Sequence, residues 1–177
     1  MSWESESAGW LPPSTGWSWQ IMRPDELALA WPLIWIVEGP NAGKWRAEAA
    51  AWIAAQREQS GIVAVQCAFG TICGLFFFQV QPGRIPARLL IDRVISVDLF
   101  APNRTLAAIL RAARDLGEIH LCRHVRLLPP DPRSAQAVQG MAEVAARLGF
   151  MYEDRLWHLD LETPLRNVVK LPTLPKA

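Results

Sequence analysis

Asp92, Ser96 and Asp98 recur at even spacing in the stretch "RLLIDRVISVDLFAP". Alternate side chains of an extended strand share a face. These three therefore fall together with Leu90, Val94 and Phe100, while Leu89, Ile91, Ile95, Val97 and Leu99 take the other side. A carboxylate on such a face can act as general base toward a protonated nucleophile. His120 and His124, four apart in "EIHLCRHVRLL", share a face if that run is a strand, and imidazole titrates close enough to neutrality to serve as acid or base. Each group also has a plainer use. An aspartate here can pair with Arg123 or Arg126, and a strand histidine, His158 included, is commonly a hydrogen-bonded sheet residue. Glu38 opens the loop-like run "EGPNAG", just after Trp31 and Trp35. There an amine would meet a carboxylate and flat aromatic surface; solvent exposure and core packing are the plainer readings.

No metal site is expected, since the chain has no CxxC and no paired His/Cys spacing. Its three cysteines are Cys67, Cys73 and Cys122. A turn at Phe69-Gly70 would set Cys67 opposite Ile72 rather than Cys73, so the thiols read as small core hydrophobes in a reduced, cytoplasmic setting. The first ten residues, "MSWESESAGW", lack the basic and apolar regions of a signal peptide, and no apolar run reaches the 18 or so residues of a membrane span. Net charge is +1, yet residues 84–133 hold nine arginines against five acids, and arginine outnumbers lysine fifteen to three. An Arg-rich middle suits an anionic ligand such as a phosphate. The absence of a basic run or basic–aromatic motif argues against nucleic acid.

Elements that could position these residues are legible along 177 residues that are 51% hydrophobic, enough for a single cored domain. An irregular arm carrying Trp3, Trp10 and Trp17 (residues 1–18) leads into a domain over 19–161, followed by a Pro-rich tail over 162–177. "SWQIM" reads as a strand. "RPDELALAWPLIWIV" begins a helix that Pro32 would kink or end. Trp45, Ala49, Trp52 and Ile53 recur with helical spacing. "GIVAVQCAFGTICGLFFFQVQPG" is a hairpin, and Arg88 onward is a long strand. "NRTLAAILRAARDLG" is a helix with Leu106, Ile109, Leu110 and Ala113 in register and Gly117 as its cap. "EIHLCRHVRLL" is a strand. A helix delimited by Asp131 as N-cap, Pro132 and Gly149 comes next. "FMYEDRLWHLDL" is one strand or a tight hairpin. The order β-α-α-β-β-β-α-β-α-β implies an α/β fold with a mixed, mostly antiparallel central sheet and helices on both faces.

That order, with "WQIMRPDELALAWPL", "GTICGLFFFQV", "VDLFAPNRTLAAIL" and "AEVAARLGFMYED", resembles the GNAT superfamily of CoA-dependent N-acyltransferases over residues 19–161. The resemblance implies that the fourth strand and the strand after the third helix splay apart, and that acyl-CoA enters the gap. The pantetheine would meet backbone around Leu99 and Phe100. The pyrophosphate would meet the first turn of the helix, at Arg104, Thr105, Leu106, Ala107 and Ala108. The family writes this turn R/Q-x-x-G-x-G/A. Here Arg104 matches the leading residue, Ala107 stands for the first glycine, and Ile109 replaces the second. Where many members carry a tyrosine acid before "LGF", this chain has Ala145, and its only tyrosine, Tyr152, lies beyond Phe150.

The resemblance implies an acyltransferase using acetyl-CoA or another acyl-CoA, with no metal, and a small-molecule or protein amine as acceptor. Asp98 is then the first candidate base, with Asp92 and His124 as further candidates and Trp35 and Glu38 on the acceptor side. The missing tyrosine and glycine leave a second reading open, a non-catalytic GNAT-fold module that binds a partner. Its tryptophan arm or proline tail would hold a protein or a second copy of the chain. An unrelated α/β binding domain is a third.

Overall fold

The computed structural model describes residues 16–54, 59–81, 87–97, 103–128, 135–153 and 156–161, with the side chains of 135–139 excepted. Strand β1 (Ser18–Ile21) leads through a 3-10 segment (Pro24–Ala30) into helix α1 (Trp31–Glu38) and, after a short 3-10 turn, α2 (Ala42–Ala54). Then come β2 (Ser60–Gln66), β3 (Ile72–Gln81), β4 (Arg88–Ser96), α3 (Arg104–Ile119), β5 (His124–Leu127), α4 (Ala135–Arg147), β6 (Met151–Glu153) and β7 (Leu156–Asp160). One seven-stranded sheet runs in the order β1-β2-β3-β4-β5-β7-β6. The β4–β5 pair is parallel and the others are antiparallel. This is the expected mixed α/β sheet, with the terminal run resolved as a hairpin. The helices divide between its faces. Trp19, Phe76, Phe78, Leu89, Ile91 and Val125 pack with α3 and α4, whereas Ile62, Leu75, Phe77 and Ile95 pack with α1 and α2. The unbroken apolar run "LFFF" in β3 follows from burial on both sides.

Local readings needed correction where a neighbour decides the geometry. Pro32 does not kink a continuous helix. The segment before it is 3-10, and Pro32 sits in the first turn of α1, where its missing N–H costs no intrahelical bond. The run "EGPNAG" is helical in part, since Gly39–Asn41 is 3-10 and Ala42 starts α2. Gly117 is not a cap. The helix continues to Ile119, and a Cβ on Gly117 would come within 2.8 Å of Val125 Cγ2, so glycine is there for close packing against β5. Consequently His120 caps α3 while His124 opens β5, and the two do not share a strand face.

The largest correction concerns β4. Its register against β3 slips between Phe76↔Val94 and Phe77↔Asp92, leaving Arg93 as an extra residue with φ +46°. Such a bulge inverts the alternation beyond it. Leu89 and Ile91 face α3, but Ile95 and Val97 pack on the α1/α2 side, and Val94 turns to the α3 side. By this alternation Asp92 and Ser96, expected on one face, lie on opposite faces. Arg93 itself is tied outward, its guanidinium paired with Glu48 of α2 and lying 5.4 Å from the centre of the Phe77 ring. That pairing holds the Glu48 carboxyl below its ordinary range. Of the arm proposed over 1–18 only the end is described, where Trp17 packs against the α3/α4 core and Ser18 already belongs to β1. Residues 1–15, the tail over 162–177, Asp98 to Phe100, and the Asp131–Pro132 helix start fall outside the described residues.

Candidate active site

Strand β5 pairs with β4 over its whole length, but with only the first part of the longer β4. The register runs from Arg88↔His124 to Ile91↔Leu127, and Leu128 N–H still donates to Ile91 O at 3.0 Å. Beyond that point β4 continues to Ser96 along β3, with no β5 partner among the described residues. The bulge at Arg93 lies just past the last of these pairs, two residues beyond Ile91. A strand with one open edge presents N–H and C=O groups to any extended ligand that carries amides.

The head of α3 is fixed at the end of this stretch of β4. Asn103 precedes the helix in a left-handed conformation (φ +66°), and its carbonyl accepts the Ala107 N–H at 3.0 Å. Thr105, 1% exposed, donates its hydroxyl to Val97 O at 2.9 Å, joining the first helical turn to the end of β4. Below it Gly74 of β3 lets the helix come close, for a Cβ there would stand 2.6 Å from Ile109 Cδ1 and 3.1 Å from Thr105 Cγ2. The first-turn amides of a helix lack intrahelical acceptors and, with the helix dipole, favour an anion. Arg104 is exposed at this end and Ala107 half-buried, whereas the side chains of Thr105, Leu106 and Ala108 turn inward, leaving only their backbone for a ligand.

Asp92 is the first β4 residue past the last β5 pair, and it stands opposite Phe77 on the α1/α2 face. His124 lies at the other end of β5, three residues before the last paired position, or roughly 10 Å along the strand. Its surroundings are those of a sheet residue. Burial lowers its pKa first, Asp160 opposes this, and Arg123, Arg88 and Arg126 add to the lowering. On α1, Trp35 is 56% exposed with its ring centre 6.1 Å from that of Trp31, and Glu38 is the last residue of the helix. Leu99, Phe100 and Asp98 lie outside the described residues.

Several residues that shape the site were not singled out from sequence. Arg93 gave no local signal, because a bulge depends on the partner strand. Asn103 before a helix is a hint, since asparagine tolerates left-handed backbone. Gly140 inside α4 is another, for a Cβ there would meet Asn103 Oδ1 at 2.5 Å.

No family model matches the sequence, and no curated protein matches it significantly. Solved structures do match. A GNAT-family acetyltransferase from Listeria monocytogenes superposes with a TM-score of 0.56 at 12% identity, over 82% of this chain and 95% of that one. A ribosomal-protein-S5-alanine acetyltransferase from Vibrio fischeri gives 0.58 at 7% identity, over 89% and 98%. A dodecameric spermidine N-acetyltransferase from Vibrio cholerae gives 0.56 at 12% identity, over 82% and 94%. The chain has the GNAT fold.

Within that fold, Ala145 occupies the position that the resemblance assigns to a tyrosine acid. It is fully buried in the α3/α4 core and accepts the Phe150 N–H at 2.9 Å through its carbonyl. Tyr152 is elsewhere, exposed on the edge strand β6 with its ring 4.9 Å from Trp157. Among the described residues no His/Cys/Asp/Glu cluster could hold a metal, and no helix is long and apolar enough to cross a membrane.

Histidine gives this GNAT-fold chain an acid-side weakness. Burial holds His120, whose ring centre is 5.9 Å from that of Phe78, below its ordinary 6.5, and His124 shifts the same way. The unfolded chain then takes up the proton first. The stability of the neutral rings is complete above pH 6.5 and declines as pH falls through it toward the lower folded values. The melting temperature is expected to drop between about pH 7 and pH 5, and His120→Asn to flatten that drop, as scanning calorimetry would show.

Proposed function

We propose that the chain is an acyl-CoA-dependent N-acyltransferase, moving an acetyl group in the first place from acetyl-CoA to an amine. The observation that carries this reading is the stretch of β4 past Ile91 that has no β5 partner among the described residues, with the head of α3 joined to its end through Thr105. An open strand edge suits the amides of a pantetheine arm, and the helix start with exposed Arg104 suits a pyrophosphate. Small residues at Ala107 and Ala108 leave the backbone approachable despite Ile109.

In this reading the acceptor nitrogen loses its proton to Asp92, directly or through water, and attacks the thioester carbon. A β4 N–H on the open edge stabilises the oxyanion of the tetrahedral intermediate. The C–S bond then breaks, and the departing thiolate takes a proton from water, because Ala145 has none to give. Glu38 offers charge to an ammonium and Trp35 an apolar surface. A small amine and a protein amine both suit this arrangement; the Vibrio structures named above are of a spermidine and a ribosomal-protein acetyltransferase. The dodecamer among them raises self-association as a proposal for this chain too.

Calorimetric titration with acetyl-CoA and with free CoA tests the reading. Micromolar binding of both supports it; no binding at millimolar CoA overturns it. Arg104→Glu is expected to weaken CoA at least tenfold, since it replaces an attracting charge by a repelling one at an exposed helix start. Unchanged affinity would mean the pyrophosphate sits elsewhere. Ala145 and Ile109 favour one rival, a fold retained for binding alone; CoA binding without turnover across an amine panel would select it.

A further inference from the structure

The tip of the β2–β3 hairpin gathers two cysteines around one carbonyl. Alternation across a regular turn would keep Cys73 away from Cys67, but the pairing jumps from Val65↔Gly74 to Gln66↔Ile72, and Cys73 is the extra residue. Both cysteines converge on one carbonyl. Cys67 N–H donates to Thr71 O at 3.0 Å, and the Cys73 thiol donates to the same oxygen at 3.4 Å. Thr71 O thus ties the Cys73 side chain to the backbone of Cys67. They are buried, Cys67 6% and Cys73 1% exposed, yet the residues between them at the tip, Ala68, Phe69, Gly70 and Thr71, are all exposed. A brief opening of that turn uncovers both.

The hairpin tip is wired to the candidate site. Cys73 O accepts the Val97 N–H at 3.0 Å, and Val97 O accepts the Thr105 hydroxyl at 2.9 Å. The next residue, Gly74, lies against Thr105 and Ile109 at the head of α3.

We propose that Cys67 and Cys73 are a redox pair that closes to a disulfide on meeting a hydroperoxide, and that closure alters the head of α3 and with it CoA binding. The second half rests on the acyltransferase reading; the first does not. In the first step a thiolate attacks the terminal peroxide oxygen, the O–O bond breaks, and the sulfur becomes a sulfenic acid as the alcohol or water leaves. The second thiol then attacks that sulfur, the S–S bond forms, and water departs with its proton. The peroxide takes up the electron pair that the two thiols lose. Cys67 is suited to the first step. Burial pushes its thiol up, but hydrogen bonds from Phe69, Cys73 and Thr71 outweigh this and leave it below its ordinary value. Cys122 is an internal control, since burial pushes its thiol up without such relief.

The full-length protein, reduced and then exposed to hydrogen peroxide, is denatured in an alkylating reagent and weighed. One alkyl group per chain, on Cys122, is expected in place of three, with the peptide holding Cys67 and Cys73 lighter by two hydrogen atoms and dithiothreitol restoring three. Three groups after peroxide, or a first loss at Cys122, overturns the redox pair. Phenylarsine oxide bridges neighbouring thiols without an oxidant, and protection of two of the three thiols is expected; none protected counts against the pair. Acetyl-CoA titrations of the reduced and oxidised protein then test the coupling. An affinity difference of threefold or more is expected, and equal affinities overturn the coupling alone. Failure of the reduced protein to bind acetyl-CoA instead overturns the acyltransferase reading, whatever the thiol count.

Discussion

Gly74→Val is expected to be among the most disruptive single changes in this chain. Its Cβ would stand 2.6 Å from Ile109 Cδ1 and 2.9 Å from Cγ1, and Ile109 is fully buried, so the contact cannot be relieved by swinging into solvent. The helix has to lift from β3 or the strand has to bend. Overpacking of this kind costs about 1–3 kcal/mol, occasionally more, and valine with its two methyls belongs near the top. At about 2–4 °C per kcal/mol for a chain of this size, the melting temperature should fall by several degrees or more. Ile109→Ala, which leaves a cavity, costs about 2–5 kcal/mol by itself. Combined, the two changes exchange volume across one contact, so the double variant should be more stable than the sum of the singles by about 1 kcal/mol or more. Urea denaturation of all three variants measures this, and strict additivity would show that the contact does not limit the approach of α3. Because Thr105 belongs to the same contact, Gly74→Val is also expected to weaken CoA binding.

Replacing Asp92 by asparagine is expected to lower kcat/KM about 100-fold, the lower range for loss of a general base. CoA affinity should stay the same, since the carboxyl is on the α1/α2 face and the head of α3 on the other. Asn keeps the shape and cannot accept the proton as a carboxylate does. Steady-state kinetics with an excess of amine, beside a CoA titration, separates the two effects. The companion variant Asp98→Asn matters because the resemblance makes that residue, nearer the loop before α3, the first candidate base. Should Asp98→Asn carry the loss and Asp92→Asn leave the rate intact, the base is Asp98 and the role given to Asp92 is wrong.

Much of the fold was legible because it rests on local periodicity. The 3.6-residue repeat of Leu106, Ile109, Leu110 and Ala113 defines α3, and all four are buried. The two-residue repeats and the Phe69-Gly70 turn define the β2–β3 hairpin, and Gly149 ends the last helix with φ +84° as expected of a C′ glycine. Arg104 and Ala107 could be placed on the outer side of the α3 start by the same repeat.

What failed was every inference that assumed uninterrupted local geometry. Asp92 and Ser96 share a face in any unbroken strand, and Cys67 stands opposite Ile72 across any regular turn. Both expectations were overturned by one extra residue, at Arg93 and at Cys73, whose position is fixed by the neighbouring strand. Gly117 reads as a helix end until Val125 packs against it, and His120 and His124 read as one strand until that packing carries the helix further.

The sequence by itself determined the kinds and order of the elements, since hydrophobic spacing, prolines and glycines act within a few residues. Tertiary structure alone decided how far β4 pairs with β5, which face Asp92 takes, and which residue of β3 stands opposite Gln66. These depend on register, and register is set by side chains far apart in the chain competing for the same packed space.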